Sequence, residues 1–221
     1  MYFKKLFENY FHNPNYLYFL ISLLLLIILP PFIYTSNLGK FSFEVIYAAT
    51  LILGSIHITR NYWELFSSMI LSTIVFALFI LNSTSFTLGT SSSVLSTVLF
   101  SLFFINLIKY IINTKKVNSN ALFACISGYI LLGIVSSLFF SLLLIYTQEL
   151  PFKSEENNFY DLIYFSFTTI TSVGYGDIVP TTPLAKSVTI LVSIAGQLYL
   201  TFIVGIIIGK YLVHQTSNTK S

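Results

Sequence analysis

Thr168-Thr169-Ile170-Thr171-Ser172-Val173-Gly174-Tyr175-Gly176-Asp177 is the stretch whose reading decides the fold. Gly174 and Gly176 occupy alternate positions, and glycine reaches positive φ without a Cβ clash. A backbone that alternates in this way can aim consecutive carbonyls toward one axis instead of pairing them in a helix or a sheet. An apolar piece, 160–171, comes immediately before it. As a helix of about 12 residues it would be about 18 Å long, too short for a hydrocarbon core of about 30 Å. It is expected to be re-entrant or interfacial. Non-helical backbone at membrane depth is tolerated only where it is buried in protein or lines a water-filled path, so the glycine-alternating segment reads as a lining.

The rest of the chain supplies the membrane. Of its 221 residues, 55% are hydrophobic and only 9% are charged, against about 25% charged in soluble domains. Aromatic residues make up 17%, mostly Phe and Tyr, which suits lipid-facing helices with interfacial belts. A net charge of +3 is too small to suggest nucleic acid as a partner. The single cysteine, Cys125, lies in an apolar run and reads as a buried structural thiol.

Six runs approach the length needed to cross a bilayer: 16–34, 43–58, 62–81, 93–112, 121–146 and 184–213. Lys4 and Lys5 before the first run resemble a secretory signal, but no small-residue cleavage site follows. Basic residues set the orientation. With a cytoplasmic amino terminus, Lys4, Lys5, Arg60, Lys109, Lys115, Lys116, Lys210 and Lys220 fall inside, and Lys40, Lys153 and Lys186 fall outside. The opposite orientation reverses this bias of eight against three. Asn157 or Asn158 can cap the short helix, and Asp161 in its first turn suits the positive end of the helix dipole. Thr182-Pro183 reads as the cap and first position of the last run.

A dehydrated cation needs several oxygen dipoles in place of its water, and a ring of backbone carbonyls can provide them. The string Ser172-Val173-Gly174-Tyr175-Gly176 resembles the TVGYG filter of the potassium channel superfamily, with Ser172 where threonine is usual. The resemblance implies an all-α membrane protein. It has six transmembrane helices plus a re-entrant pore helix and filter loop, with the pore between the last two spans. One chain supplies one filter strand and a closed ring needs four, so a homotetramer is expected. Residues 1–120 would be a four-span region, 121–213 the pore domain and 214–221 a short cytoplasmic tail. K+ is the expected transported ion, with no cofactor. The layout is similar to bacterial six-span potassium channels that lack a voltage sensor. It implies a plasma-membrane location with both termini cytoplasmic and membrane lipids as neighbours.

Around the filter, Tyr164 and Phe165 are expected to pack behind it, with Tyr175 pointing into them. Many relatives keep a carboxylate at the position of Thr168, bonded to the aspartate after the filter. Here Asp177 must find another donor, the Tyr164 hydroxyl being one candidate. Thr171 ends the short helix. Gly196 matches a glycine around which inner helices bend, though close helix packing explains it as well, as it does Thr201, Gly205 and Gly209 at four-residue spacing. By the same resemblance Val204 and Ile208 face the pore below the cavity, where an apolar ring could gate by dewetting.

The first four spans lack the repeated arginines of a voltage sensor. The run 93–112 holds only Lys109, near its inner end, and the chain has one arginine, Arg60. A weakly selective cation channel or a non-conducting membrane scaffold would share this architecture. A transporter subunit with four filter repeats would need more filters than the one present. No Ser-His-Asp pattern, metal-ligand cluster or phosphate loop marks an enzyme.

Overall fold

The computed structural model describes residues 15–33, 37–58, 62–81, 86–114, 117–147, 152–153 and 159–218. Lys4, Lys5, Arg60, Lys115, Lys116, Asn157, Asn158 and Lys220 lie outside these residues. Helices run over Tyr16–Ile33 (α1), Asn37–Ile58 (α2), Tyr62–Leu81 (α3), Phe86–Asn113 (α4) and Ser119–Thr147 (α5). A short strand, Phe152–Lys153 (β1), leads to the half-length helix Phe159–Ile170 (α6). A second strand, Val179–Pro180 (β2), precedes Pro183–Leu198 (α7), a π-helical turn at Tyr199–Ile203, and Val204–Asn218 (α8).

Most bounds fall within two residues of the apolar runs. Three bounds differ by more: α2 begins at Asn37 instead of 43, α4 at Phe86 instead of 93, and α8 ends at Asn218 instead of 213. Helical hydrogen bonding continues past the apolar run in each case, through polar residues that hydropathy alone leaves out. Three helical stretches, Thr90–Asn113, Ser119–Thr147 and Pro183–Lys210, are long and apolar enough to cross a membrane. Shorter apolar stretches are described at Tyr16–Leu29, Ile46–Ile58 and Glu64–Leu78.

The helices α1–α4 pack as a group, with α1 and α4 against α5. Between helices in lipid there is little hydrophobic driving force, so close packing and polar contacts hold them together. Gly54 makes one such approach: a Cβ there would lie 2.5 Å from the Phe103 ring. Buried hydroxyls provide the polar contacts. Tyr47 donates to Ser96 Oγ at 2.6 Å, and Ser55 and Ser72 share a hydrogen bond of 3.2 Å. Most serines otherwise donate to their own helix, as Ser96 does to the Ser92 carbonyl. The core runs without a break from Phe19, Phe100 and Phe103 to Leu131, Tyr199 and Ile207, joining the first four helices to the last segment.

At the other end of that segment, Lys210 Nζ donates to the carbonyls of Ile111, Ile112 and Thr114 at 3.1, 2.6 and 2.8 Å. These belong to the carboxyl-terminal end of α4, whose last carbonyls have no partner within the helix. A lysine there suits the negative end of the dipole.

Candidate functional site

The site begins with the end of α6. Its last carbonyls are taken by the chain that follows. Ser172 N–H donates to Thr169 O at 3.1 Å, and Val173 and Gly174 N–H both donate to Thr168 O, at 3.0 and 3.1 Å. Ile170 O accepts from the Tyr129 hydroxyl of α5 at 3.1 Å. The amides of residues 172–174 therefore face back to the helix. No carbonyl of residues 172–176 accepts a hydrogen bond among the described residues.

Positive φ recurs at every second residue: 59° at Ser172, 52° at Gly174 and 81° at Gly176. Two of these positions are the glycines that the sequence marks. The third is a serine, and a residue with a Cβ held in this region costs about 1–3 kcal/mol. An unbranched side chain is easier to hold there than a β-branched one. Ser172, Val173 and Tyr175 are exposed in the single chain. Chemically, a row of unpaired carbonyls on an alternating backbone can replace the hydration shell of a dehydrated cation.

Two aromatic layers sit behind the row. The Tyr164 ring stacks on Tyr175, with centroids 6.4 Å apart and planes 5° from parallel. The Tyr164 hydroxyl donates to Asp177 Oδ2 at 2.7 Å, the alternative donor that the absence of a carboxylate at position 168 makes necessary. This bond, together with the Ile178 amide donating to Asp177 Oδ1 at 3.0 Å, holds the Asp177 carboxyl below its ordinary pKa. Thr168 takes no part in that pair; its hydroxyl donates to Phe165 O at 3.1 Å. Thr171 likewise bonds back to Phe167 O at 2.6 Å.

Phe165 belongs to the second layer. The rings it meets are Phe140 of α5 and Phe152 of β1, with centroids 5.1 and 4.9 Å away. It anchors α6 to the outer helix, while Tyr164 alone stacks on Tyr175. Phe152 is brought there by the β1–β2 ladder, in which Phe152 pairs with Pro180 and Lys153 with Val179. Two-residue strands leave no periodicity to read, so the ladder is an addition to the all-α expectation. On the α5 side, a Cβ at Gly133 would lie 2.5 Å from the Phe167 ring.

The last segment starts as its sequence suggests. Thr182 Oγ1 accepts from Ala185 N–H at 3.2 Å, and Pro183 occupies the first turn. Gly196 is the point of closest approach to α6: a Cβ there would lie 2.5 Å from Ile170 O and 2.8 Å from Ile170 Cα. Gly196 lies within regular helix. The irregularity comes three residues later, in the π turn, a feature frequent at functional sites. The turn coincides with Tyr199, whose hydroxyl donates to Cys125 O at 2.7 Å. Gly128 leaves room for that hydroxyl, which a Cβ would strike.

Ile203, the last residue of the turn, and Ile207 beyond it are buried, while Val204 and Ile208 lie one turn apart and are exposed. Among the described residues, no atom beyond the glycine's neighbours and its own helix backbone lies within 4 Å of where a Cβ would stand at Gly205 or Gly209.

Two polar partners at the site, Tyr129 and Gln197, escape the sequence reading. Gln197 Nε2 donates to Ser172 Oγ at 2.7 Å. A signal was available, since Gln197 is an amide in an otherwise apolar stretch, beside the glycine that brings α7 against Ile170.

Residues 121–213 match the family described as ion channel. Among curated proteins, 59 residues are 39% identical to a two-pore potassium channel of Arabidopsis thaliana, over 27% of this chain and 21% of that protein. A calcium-gated potassium channel of Thermoplasma volcanium is 32% identical over 82 residues, which is 37% of this chain and 22% of the relative. A voltage-gated potassium channel of Aeropyrum pernix is 39% identical over 62 residues, 28% of this chain and 21% of the relative. The chain thus spans about a fifth of the length of the relatives it matches. No solved structure matches at the same stringency. The shared part is the one that holds the short helix, the alternating row and the last segment, and there the chain is similar to ion channels, potassium channels among them.

Proposed function

We propose that the chain is one subunit of a homotetrameric, potassium-selective channel. Its filter is Ser172, Val173, Gly174, Tyr175 and Gly176, and it conducts K+ passively across the membrane. The observation that carries this reading is the alternation of φ at residues 172, 174 and 176 with the amides turned to α6. Such a backbone has its carbonyls left over for an ion. One chain offers one wall, and the exposure of Val173, Tyr175, Val204 and Ile208 fits contact with three further copies and the pore.

Six spans with both termini in the cytoplasm follow from the basic-residue bias, with α1–α3 crossing alongside the three longer stretches. A bacterial plasma membrane is the proposed location. Tyr164, Asp177, Phe165, Thr168 and Thr171 hold the filter from outside the pore. Gly196 sets the approach of the inner helix, and Val204 with Ile208 form the apolar ring below the cavity.

Purified protein in liposomes tests this reading against its alternatives. The expected result is a detergent-extracted species of four times the chain mass that releases loaded K+ and retains Na+. Release of both ions at equal rates would indicate a weakly selective cation channel. Retention of both by a tetramer would indicate a non-conducting scaffold.

A further inference from the structure

The filter of this chain carries serine at the position where the resemblance places threonine, and that difference has a structural consequence. Threonine is stiff at χ1 because two heavy atoms sit on its Cβ. Serine has a single γ atom and three staggered wells to choose from. Ser172 also sits at a φ of 59° and is exposed. A hydroxyl that turns freely would present its oxygen to an ion only part of the time.

The structure supplies a restraint from another element. Gln197 Nε2 reaches Ser172 Oγ at 2.7 Å across 25 residues of chain. It can do so because Gly196 brings α7 onto the Ile170 backbone, immediately before the filter. Gly196 and Gln197 thus act as a pair: the glycine allows the approach, and the amide next to it makes the bond. A hydroxyl oxygen that accepts one hydrogen bond keeps a second lone pair, so Ser172 Oγ is both fixed and still able to face an ion.

We infer that Gln197 is a positioning residue for the innermost ion site, setting the Ser172 hydroxyl in place of the γ-methyl that a threonine would use. The inference rests on the filter reading above. It makes a demand that a merely structural role for Gln197 does not make: the residue matters in a serine filter and becomes dispensable in a threonine one.

The test is a double-mutant cycle on the full-length channel in planar bilayers, read as block by internal Ba2+, a divalent probe of the innermost site. The four channels are the native protein, Gln197→Met, Ser172→Thr and the double variant. Methionine keeps the length of the side chain and removes the donor. Restricting one of three rotamers is worth about threefold in site occupancy, so Gln197→Met should weaken Ba2+ block by about that factor. In the Ser172→Thr background the same change should have no effect on block. Equal weakening in both backgrounds, or none in the native one, would overturn the inference. If Gln197→Met fails to assemble alone, recovery of tetramers and of native block in the double variant supports the inference, and failure in both backgrounds overturns it. Loss of potassium selectivity in the native channel is a separate outcome that strikes the filter reading itself.

Discussion

Residues 119–218 and residues 16–113 are both built from apolar helices, and they are held together in different ways. In the first four helices the described polar bonds are mostly serine and threonine hydroxyls returned to their own backbone, with a few contacts across helices such as Tyr47 to Ser96. Residues 119–218 return as many hydroxyls to their own backbone, those of Ser136, Ser193 and Thr201 among them, and add bonds between elements, three of which fall on residues 170–177. Tyr129 holds the end of α6, Tyr164 holds Asp177, and Gln197 holds Ser172. Generic packing is enough to keep a bundle in lipid. An unpaired row of carbonyls needs each of its neighbours fixed. Lys210 joins the two regions by capping α4 from α8.

The comparison breaks most visibly at Gly196. Gly196→Ala puts a methyl group 2.5 Å from Ile170 O, which is backbone and cannot swing aside. Overpacking of this kind costs about 1–3 kcal/mol, and the displacement also breaks the Gln197–Ser172 bond. Macroscopic potassium current in bilayers should disappear or fall at least tenfold. Gly205→Ala, where no other element among the described residues lies within 4 Å, is the control that separates this contact from helix propensity. Native current from Gly196→Ala would show that the approach of α7 to α6 is not required.

Tyr164→Phe is the next largest. It keeps the ring on Tyr175 and removes the bond to Asp177. Single-channel openings should shorten several-fold while the reversal potential stays where it is. The pH dependence has a definite sign. Because Asp177 titrates below its ordinary value, the stabilisation by this bond is complete above that value and is lost as external pH falls through the lowered one. The native channel should therefore keep its long openings on mild acidification, and Tyr164→Phe should gain nothing from alkaline solution. Unchanged open times in the variant would contradict the supporting role.

The alternating strand proposed as the filter was legible because it depends on backbone chemistry that only glycine supplies cheaply, and two of its three positive-φ positions are glycine. The need for a donor to Asp177 was legible as well, from what Thr168 lacks. Side-chain partners were harder to read. Phe165 and Tyr164 are adjacent in sequence and point into different layers, and no pattern says which ring meets Tyr175. The π turn carries no composition signal; it coincides with Tyr199, whose acceptor lies on α5. The early starts of α2 and α4 were missed because hydropathy marks where lipid can be and not where helical bonding begins.

The smallest expected effect concerns the first four helices. Moving one elementary charge through 100 mV is worth about 2.3 kcal/mol, and steep gating needs several such charges. Within α4 as described the basic residue is Lys109, near the inner end. Open probability should change shallowly, with an apparent gating charge of about one or below. The remaining dependence should come from ions moving in the filter and shift with potassium concentration. Steep activation that survives potassium changes and vanishes in Lys109→Gln would give these helices a sensing role.

The central claim is that the alternating strand at residues 172–176 selects potassium. Bi-ionic recording from the reconstituted native protein, with K+ on one side and Na+ on the other, tests it most directly. Reversal close to the potassium equilibrium potential is the predicted result. Reversal near zero, from a protein shown to be tetrameric, would contradict it.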